Sequence, residues 1–363
     1  MPIIVDAHQD LAWNAVTFGR DYSRSAHDTR QAEQAAQSPA IARNGNTLLG
    51  LPDYLAGRVA IVFGTLFVSP KRKKMGDWDT LAYADANEAH ALYSKQLDYY
   101  HRLADEHPQF ALIRARGDLE NVLATWEGTD ESKRRVGLVS LMEGADGIRE
   151  PAEAEQWLER GVRLVGLAWS GTRYAGGTGE PGPLTPEGRE LLNVMASLGL
   201  MLDLSHLSDE SCLEALDRFQ GTVVATHANP RALVRNPARP ERFLTDEMIR
   251  HLAERGGVVG IVPFNRFLTG DWKNSDGKQA VTLARVVAMI DHICQLTGSA
   301  RHVGLGSDFD GGFGVESVPA EIDTVADLQK IGVALQTQGY AEKDVAGILG
   351  LNWVEVLRRG LPA

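Results

Sequence analysis

The chain has 363 residues, of which 44% are apolar and 23% charged, a composition that excludes wholesale disorder and is typical of a globular protein. Its 37 basic and 48 acidic residues give a net charge of −11, which argues against nucleic acid or an anionic membrane as the main partner. Two distant cysteines, Cys212 and Cys294, exclude a disulfide framework. The N-terminus shows no charged leader, which predicts a cytoplasmic protein.

Eight short apolar or β-branched runs alternate with longer helical patterns along the whole chain. This alternation is typical of βα units and a parallel sheet. The eight runs are Ile3–Ala7, Ala60–Phe67, Val136–Leu141, Leu164–Ala168, Met201–Leu204, Thr222–Ala225, Val258–Val262 and Val303–Leu305. Eight strands with intervening helices favour a closed α/β barrel of the (β/α)8 type over an open sheet. We therefore predict one barrel domain over residues 1–363.

Local signals mark several helices between these runs. Tyr93, Leu97, Tyr100 and Ala104 recur at helical spacing. Thr185, Ser208 and Thr245 are predicted N-caps, and Gly199 is predicted to end the helix that begins at Pro186.

Two segments depart from the plain repeat, and a third short segment is strongly basic. A polar insertion at about 19–52 follows the first strand, with a predicted helix around Gln31–Gln37. The glycine-rich segment Ser170–Pro183 lacks a phosphate-loop motif and is interpreted as a wall or lid of the active site. The basic run Lys71–Lys74 is interpreted as a solvated loop.

Potential metal ligands lie where the strands are predicted to end, which is where (β/α)8 barrels place their catalytic groups. The first run leads into VDAHQDL, whose histidine and second aspartate share a face because side chains two apart in a strand point the same way. The candidates at the ends of the first, third, fifth, sixth and eighth runs are His8 with Asp10, Glu143, His206, His227, and Asp308 with Asp310. Imidazole and carboxylate together suit a zinc-type cation, and two cations need a bridging carboxylate.

Each candidate has a structural alternative when it is taken alone. A histidine near a strand end commonly makes only structural hydrogen bonds, and Glu143 fits an ordinary turn. Asp308 and Asp310 fit the cap of a following helix. The convergence of all these residues on one end of the barrel favours a metal site. The other histidines fall in helical or loop sequence and are interpreted as structural or solvated: His27, His90, His101, His107, His251, His292 and His302.

Five motifs, VDAHQDLAW, LMEGADG, LDLSHLS, THANPRAL and GLGSDFDG, occur in this order between positions 5 and 311. With them and the C-terminal LGLNWVEVLRR, the chain resembles the membrane (renal) dipeptidase family, a branch of the amidohydrolase-type metal-dependent barrels. The resemblance covers nearly the whole chain and implies a distorted (β/α)8 TIM-type barrel with two divalent metal ions, expected to be zinc.

The resemblance also implies a role for individual residues. The implied metal ligands are His8 and Asp10 for one ion, His206 and His227 for the other, and Glu143 as the bridge. Asp308 is implied to be the acid that shuttles the proton. Arg242, in the stretch RFLTDE, matches the arginine that holds the terminal carboxylate of the substrate, and a surface residue in an arginine-rich loop is the alternative interpretation.

The chain departs from the renal pattern at the end of the fourth strand. Renal-type relatives carry a histidine there, whereas the segment GVRLVGLAWSGT has Trp169 at the matching position. An indole can donate one hydrogen bond but brings no proton or positive charge. Two interpretations stay open: Trp169 contacts the substrate as an aromatic wall of the pocket, or it marks a subgroup with altered activity.

The first hypothesis is a zinc-dependent dipeptidase that cleaves small unblocked dipeptides by a metal-bridging hydroxide, including dipeptides with a D-residue at the C-terminal position. The nearest alternative uses the same metals on N-acyl amino acids, lactones or phosphoesters. A third is a non-catalytic binding protein on the same barrel. Relatives often form dimers, so a homodimer is left open, although the sequence identifies no interface.

Overall fold

The computed structural model describes residues 1–363, and its centre is a barrel of eight parallel strands. The strands are β1 (Ile4–Gln9), β2 (Val59–Phe67), β3 (Val136–Glu143), β4 (Val162–Gly166), β5 (Met201–Asp203), β6 (Val223–Val224), β7 (Val259–Ile261) and β8 (Val303–Leu305). All their residues are buried, which explains why several of the strands read as nearly continuous apolar runs. The eight predicted strands and the distorted (β/α)8 class are confirmed.

The strands follow the order β6-β5-β4-β3-β2-β1-β8-β7 through parallel pairs. The barrel closes where β6 meets β7, through a single parallel bridge between Ala225 and Val259. The backbone N–H of Ala225 donates to Val258 at 3.0 Å, and that of Gly260 donates to Ala225 at 2.8 Å. Short strands at this junction make the barrel irregular, and a further strand, Phe110–Leu112, pairs with β3 outside the ring.

Helices connect the strands and surround the barrel. They span Leu11–Phe18, Ala26–Ala35, Pro39–Asn44, Leu51–Ala56, Ala86–Glu106, Arg116–Glu127, Ala154–Glu159, Pro186–Leu198, Asp209–Arg218, Asp246–Glu254, Asn265–Thr269, Leu283–Thr297, Gln329–Thr337, Glu342–Ala346 and Asn352–Gly360. None of them has both the length and the apolar character that crossing a membrane requires.

Most of the predicted helix signals act as expected. The hydroxyl of Thr185 accepts from Gly188 N–H at 3.0 Å, and that of Thr245 accepts from Met248 N–H at 3.2 Å. Gly199 ends its helix at a left-handed φ of 73°. Ser208 precedes the helix Asp209–Arg218 but does not cap it with its side chain. Its hydroxyl instead donates to the Gly182 carbonyl at 2.6 Å and thereby contacts the glycine-rich segment.

The C-terminal helix packs against the barrel strands. Its Trp353 is fully buried, contacts Phe63 edge to face at 5.5 Å between ring centroids, and donates to the Leu305 carbonyl at 2.9 Å. A cluster of 21 buried residues joins this helix to β1, β2 and β3. Trp353 thus attaches the C-terminal helix to both β2 and β8.

Asp310 fastens the insertion at 19–52 to the segment that follows β8. Its carboxylate accepts hydrogen bonds from Arg20 Nη1 at 3.0 Å, the Tyr22 hydroxyl at 2.7 Å and the Thr47 hydroxyl at 2.6 Å. The Leu48 N–H donates to the other carboxylate oxygen at 3.1 Å, so both oxygens of Asp310 have protein donors. We therefore interpret Asp310 as an anchor of the insertion, and no α-helix begins directly after it. The predicted helix in this insertion exists, but it covers Ala26–Ala35.

The glycine-rich segment folds into an antiparallel hairpin of Ala175–Gly177 and Glu180–Leu184. Glu180 forms ion pairs with Arg72 at 2.7 Å and with Lys73 at 3.0 Å. The basic run is therefore an exposed turn that contacts this hairpin through its charges.

Candidate metal centre

The predicted ligands lie at one end of the barrel because the carboxyl ends of parallel strands meet there. His8 is the second-last residue of β1, and Glu143 is the last residue of β3. The others follow strand ends directly or within three residues: Asp10 after β1, His206 after β5, His227 after β6 and Asp308 after β8. The structure brings all six of these residues together.

Glu143 lies between three imidazoles. Its Oε1 atom is 3.1 Å from His206 Nε2 and 3.3 Å from His227 Nε2. Its Oε2 atom is 3.7 Å from His8 Nε2. The two carboxylate oxygens therefore face different imidazoles, which is the arrangement that a carboxylate shared by two cations needs.

Two further carboxylates approach the imidazole of His8. Asp10 Oδ2 lies 3.7 Å and Asp308 Oδ1 lies 3.9 Å from His8 Nε2. The backbone N–H of Asp308 donates to the His8 carbonyl at 3.0 Å, which fixes the loop after β8 beside β1. His206 and Asp308 both adopt left-handed backbone, with φ of 68° and 58°. Such conformations cost about 1–3 kcal/mol each, so the surrounding structure holds these two side chains in place.

The chemistry of this donor set fits divalent cations. His8 Nε2 and Asp10 Oδ1 are buried and have no hydrogen-bond partner. Leaving such atoms without a partner costs about 1–3 kcal/mol each, and a bound cation removes that cost. The set combines three imidazole nitrogens with carboxylate oxygens, which is the ligand mixture that zinc prefers.

Burial controls protonation in the site. It lowers the pKa of His8, His206 and His227 well below the usual histidine value, so the three imidazoles are neutral and have a free lone pair. Burial and the neighbouring carboxylates raise the pKa of Glu143 and Asp10. Burial also raises the pKa of Asp308 to about 7, against the opposing effect of the Arg242 charge. A divalent cation would relieve the repulsion among these acids.

Threonine hydroxyls contact the Nδ1 atoms of two imidazoles, on the edge of each ring that faces away from Glu143. Thr178, in the hairpin, lies 3.0 Å from His206 Nδ1 through its Oγ1 atom. Thr226 lies 3.0 Å from His227 Nδ1 in the same way. Sequence reasoning missed both threonines. For Thr226 the only signal was its position next to His227. Thr178 lies in the glycine-rich segment interpreted as a wall or lid, but nothing in that segment singled out this residue.

Arg242 is 5% exposed and so is not a surface residue. Its Nη1 atom donates to the His227 carbonyl at 2.9 Å, while Nη2 is buried without a partner. The guanidinium lies over the ring of Phe267, 5.0 Å from the ring centroid. The charges of Asp308 and Glu143 act on it and oppose the lowering of its pKa by burial. An anion that enters the site would find an unused donor there.

Trp169 lies beside the imidazoles and is partly exposed. Its ring centroid is 6.2 Å from that of His206 and 5.0 Å from that of Phe67, which it contacts edge to face. The indole thus forms part of an aromatic wall next to the ligand set. Tyr174, by contrast, is fully buried, with its hydroxyl donating to the Ile148 carbonyl.

The sequence profile of the membrane dipeptidase family (peptidase family M19) matches residues 1–360, so the chain belongs to this family. A Klebsiella pneumoniae protein from the pqqA 5′ region is 32% identical over 233 residues, which are 61% of this chain and 82% of that protein. Dipeptidase tcpJ of Claviceps purpurea is 29% identical over 236 residues, which cover 62% of this chain. The match spans 52% of the fungal dipeptidase, about half of its length.

The same barrel occurs in solved structures. A metallopeptidase from Rhodobacter sphaeroides, crystallised with a phosphinate mimic of the dipeptide L-Ala-D-Ala, superposes with a TM-score of 0.76. The alignment covers 99% of this chain and 100% of that one at 23% identity. The likeness therefore extends over the whole barrel with its surrounding helices.

Proposed function

We propose that the protein is a binuclear metal-dependent dipeptidase that hydrolyses small unblocked dipeptides. The observation that carries this proposal is the ring of three imidazoles around Glu143, next to the buried guanidinium of Arg242. The ring suits a pair of divalent ions, and the guanidinium suits a free carboxylate. Together they describe a hydrolase that recognises the C-terminus of its substrate.

The ligand set divides into two halves around its bridging carboxylate. In this assignment His8 and Asp10 would hold one ion, His206 and His227 would hold the other, and Glu143 would contact both. Divalent ions supply Lewis-acid polarisation of a scissile carbonyl and lower the pKa of a nearby water molecule. Zinc is the proposed metal because neutral imidazole nitrogens with few carboxylates suit it better than calcium or magnesium.

Proton transfer is assigned to Asp308. Its carboxylate lies beside the ligand set and is partly accessible, whereas Asp10 and Glu143 are buried. Hydrolysis of a peptide bond removes a proton from the attacking water and adds one to the departing amine. One carboxyl group that reaches both positions can carry the proton between them.

The terminal carboxylate of the dipeptide is assigned to Arg242. The free Nη2 atom can complete a charge-assisted hydrogen bond with that carboxylate. The Rhodobacter sphaeroides relative was crystallised with a mimic of L-Ala-D-Ala. This supports dipeptides with a D-residue at the C-terminal position as substrates here.

Trp169 is assigned to the substrate pocket as an aromatic wall beside His206. Its indole N–H can donate one hydrogen bond but cannot transfer a charge to the substrate. We therefore expect Trp169 to influence which side chains are accepted.

The first experiment combines metal analysis with a substrate screen. Purified protein should contain about two transition-metal ions per chain, as expected of a two-metal hydrolase site. A dipeptide library, including L,D-dipeptides, should release free amine in the presence of zinc. Protein that binds no metal after reconstitution would contradict every hydrolytic assignment. Activity confined to N-acyl amino acids, lactones or phosphoesters would contradict the dipeptidase assignment and support the alternative function.

Asp308→Asn tests the proton-transfer assignment. The substitution keeps the shape of the side chain but removes its basic oxygen, so turnover should fall by about 10²–10⁴-fold. Metal content should stay unchanged, because the five proposed ligands are intact. An unaltered kcat would remove Asp308 from the mechanism.

A cytoplasmic location and a single folding domain with an insertion at 19–52 are further proposals. The first rests on the sequence alone. The second is supported by the continuous contacts of the insertion with Asp310, in the loop after β8.

A further inference from the structure

The mechanism above does not use Asp203, a fully buried carboxylate at the end of β5. Its Oδ1 atom accepts three hydrogen bonds: from Ser205 N–H at 3.0 Å, from the Ser205 hydroxyl at 2.8 Å and from Thr226 N–H at 2.9 Å. Its Oδ2 atom accepts from the Thr226 hydroxyl at 2.5 Å. A buried carboxylate with four donors is a fixed structural acceptor.

The hydroxyl of Thr226 also contacts two imidazoles. His227 Nδ1 lies 3.0 Å and His8 Nδ1 lies 3.5 Å from Thr226 Oγ1. The two rings lie against each other, with centroids 3.6 Å apart and planes 34° apart. Their Nδ1 edges therefore share one hydroxyl, while their Nε2 edges face the carboxylate of Glu143.

We propose that Asp203 acts through the hydroxyl of Thr226 to fix both imidazoles in the tautomer that binds metal. A hydroxyl has one proton and two lone pairs. Because Asp203 takes that proton, Thr226 can only accept from the imidazoles. Each Nδ1 atom must then carry the hydrogen, and each Nε2 atom keeps a lone pair for a cation.

This arrangement links the two halves of the metal centre, and in that sense it rests on the proposed function. His8 is assigned to one ion and His227 to the other, yet a single hydroxyl orients both rings. Asp203 and Thr226 are positioning residues, since neither lies in the ligand set. The third imidazole is oriented separately, by Thr178.

The backbone of Thr226 lies close to two glycines. A Cβ atom at either Gly260 or Gly306 would overlap the Thr226 carbonyl oxygen. Both residues follow or form part of neighbouring strands, β7 and β8. Their lack of side chains therefore lets Thr226 reach the position from which it contacts both rings.

Three substitutions test the proposal by metal affinity. Thr226→Val removes the hydroxyl at nearly constant volume and should weaken zinc binding by about 10–100-fold, the usual effect of losing such a partner. Thr226→Ser keeps the hydroxyl and should restore most of that affinity. Asp203→Asn should also weaken zinc binding. Three donors still face the Oδ1 position, so the new amide nitrogen must face Thr226 and donate to its hydroxyl. The hydroxyl then donates its own proton to an imidazole Nδ1 atom, which favours the wrong tautomer.

The matched control is Thr65→Val. Thr65 is a buried threonine of β2 whose Oγ1 atom has no partner, so the same substitution should leave zinc affinity unchanged. Competition with a chromophoric chelator measures affinity without substrate. Zinc affinity of Thr226→Val equal to that of the wild type, or equal losses for Thr226→Ser and Thr226→Val, would overturn the proposal.

A second measurement does not depend on metal binding or on a variant that folds. In the full-length metal-free protein labelled with ¹⁵N-histidine, the ring nitrogens report the tautomer directly. His8 and His227 should both carry the hydrogen on Nδ1. Hydrogen on Nε2 in either ring contradicts the proposal, even if the protein proves to hydrolyse no dipeptide.

Discussion

Arg242 has one buried donor that the protein itself does not satisfy. Its Nη1 atom donates to a backbone carbonyl, its planar face covers Phe267, and Nη2 has no partner. Burying a cation with an unused donor is costly unless a ligand completes its hydrogen bonds. We therefore expect Arg242 to distinguish substrates that carry a free carboxylate from those that do not.

Arg242→Ala should raise KM for unblocked dipeptides by about 10–100-fold, because a hydrogen bond to a charged group contributes about 1.5–3 kcal/mol. The same dipeptides with an amidated C-terminus should lose little. Steady-state kinetics on both substrate series measures the difference. Arg235→Ala is the control, since Arg235 is an exposed arginine in the same segment. Equal losses for free and amidated substrates would show that Arg242 does not bind the carboxylate.

Single residues also show how far sequence reasoning reaches. The positions of His8, Glu143, His206 and His227 could be predicted because each follows a strand signal, and parallel strands end together. The anchoring role of Asp310 was not predicted, because its partner Arg20 lies 290 residues earlier in the chain. The role of Thr226 depends on how two rings stack, which no local pattern encodes.

A buried network of charges connects the insertion at 19–52 to Asp310. Arg20 donates to Asp310, Glu33, Asn14 and the Gly45 carbonyl. This network satisfies a fully buried guanidinium entirely with protein groups. Removing one acceptor leaves the cation partly uncompensated.

Asp310→Ala should lower the free energy of unfolding by about 3–5 kcal/mol, the usual cost of breaking a buried ion pair. Urea denaturation measures it. Asp323→Ala is the matched control, because Asp323 pairs with Arg30 across the same contact but is half exposed. That pair should contribute less than about 1 kcal/mol. Equal effects of the two substitutions would mean that the buried network does not hold the insertion.

Ion pairs attach the hairpin of Ala175–Gly177 and Glu180–Leu184 to the basic turn Lys71–Lys74. Hydrogen bonds from Arg72, with support from Lys73, lower the pKa of Glu180 to about 2. Because this pKa is depressed, the interaction contributes fully above the ordinary pKa of a glutamate. It is lost only as the pH falls towards 2. At neutral pH the hairpin therefore stays attached to the basic turn.

Glu180→Gln should speed amide hydrogen exchange in the hairpin by about two- to fivefold at neutral pH, since exposed ion pairs contribute up to about 1 kcal/mol. Exchange mass spectrometry of the hairpin peptides measures this change. Glu187→Gln breaks the exposed ion pair of Glu187 with Arg173, neither of which lies in the hairpin, and serves as the control. An unchanged exchange rate in Glu180→Gln would mean that packing alone holds the hairpin.

The strands of this hairpin could not be predicted from the sequence. Its second strand reads EPGPL, with two prolines and a glycine and only one fully buried residue. Such a sequence has no strand propensity of its own. Contacts with Ser208 and the basic turn, which are distant in sequence, decide its conformation.

The whole chain combines a large core with a cluster of unsatisfied ligands. One cluster of 81 buried residues surrounds the barrel, so the fold does not depend on a metal for its core. Without a cation, however, the carboxylates at this end of the barrel repel one another, and His8 Nε2 and Asp10 Oδ1 have no hydrogen-bond partner. We expect a metal-free protein that is folded but less stable than the loaded form.

Removing metal with a chelator should lower Tm, and added zinc should restore it in a concentration-dependent manner. At about 100 times Kd the stabilisation is about 2.7 kcal/mol, because only the native state offers the assembled site. Calorimetry should record a single transition, as expected of one domain. Glu143→Ala should respond much less to zinc. Two separate transitions would divide the chain into more than one domain, and a Tm indifferent to zinc would argue against the site.

At this scale the sequence predicts the strand count because most strands contain a short apolar or β-branched run, and several of these runs are nearly continuous. Closure of the ring is harder to predict. It depends on one bridge between Ala225 and Val259, made by two of the shortest strands.

Gly260 and Gly306 have a consequence for how natural variants of this chain should be judged. Neither position has a group that could react or bind, and an added methyl would pass most tests of a conservative change. Yet such a methyl would collide with the carbonyl of Thr226. We therefore expect alanine at either position to displace Thr226 and weaken the metal site. A survey of variants that considers only reactive side chains would miss this effect.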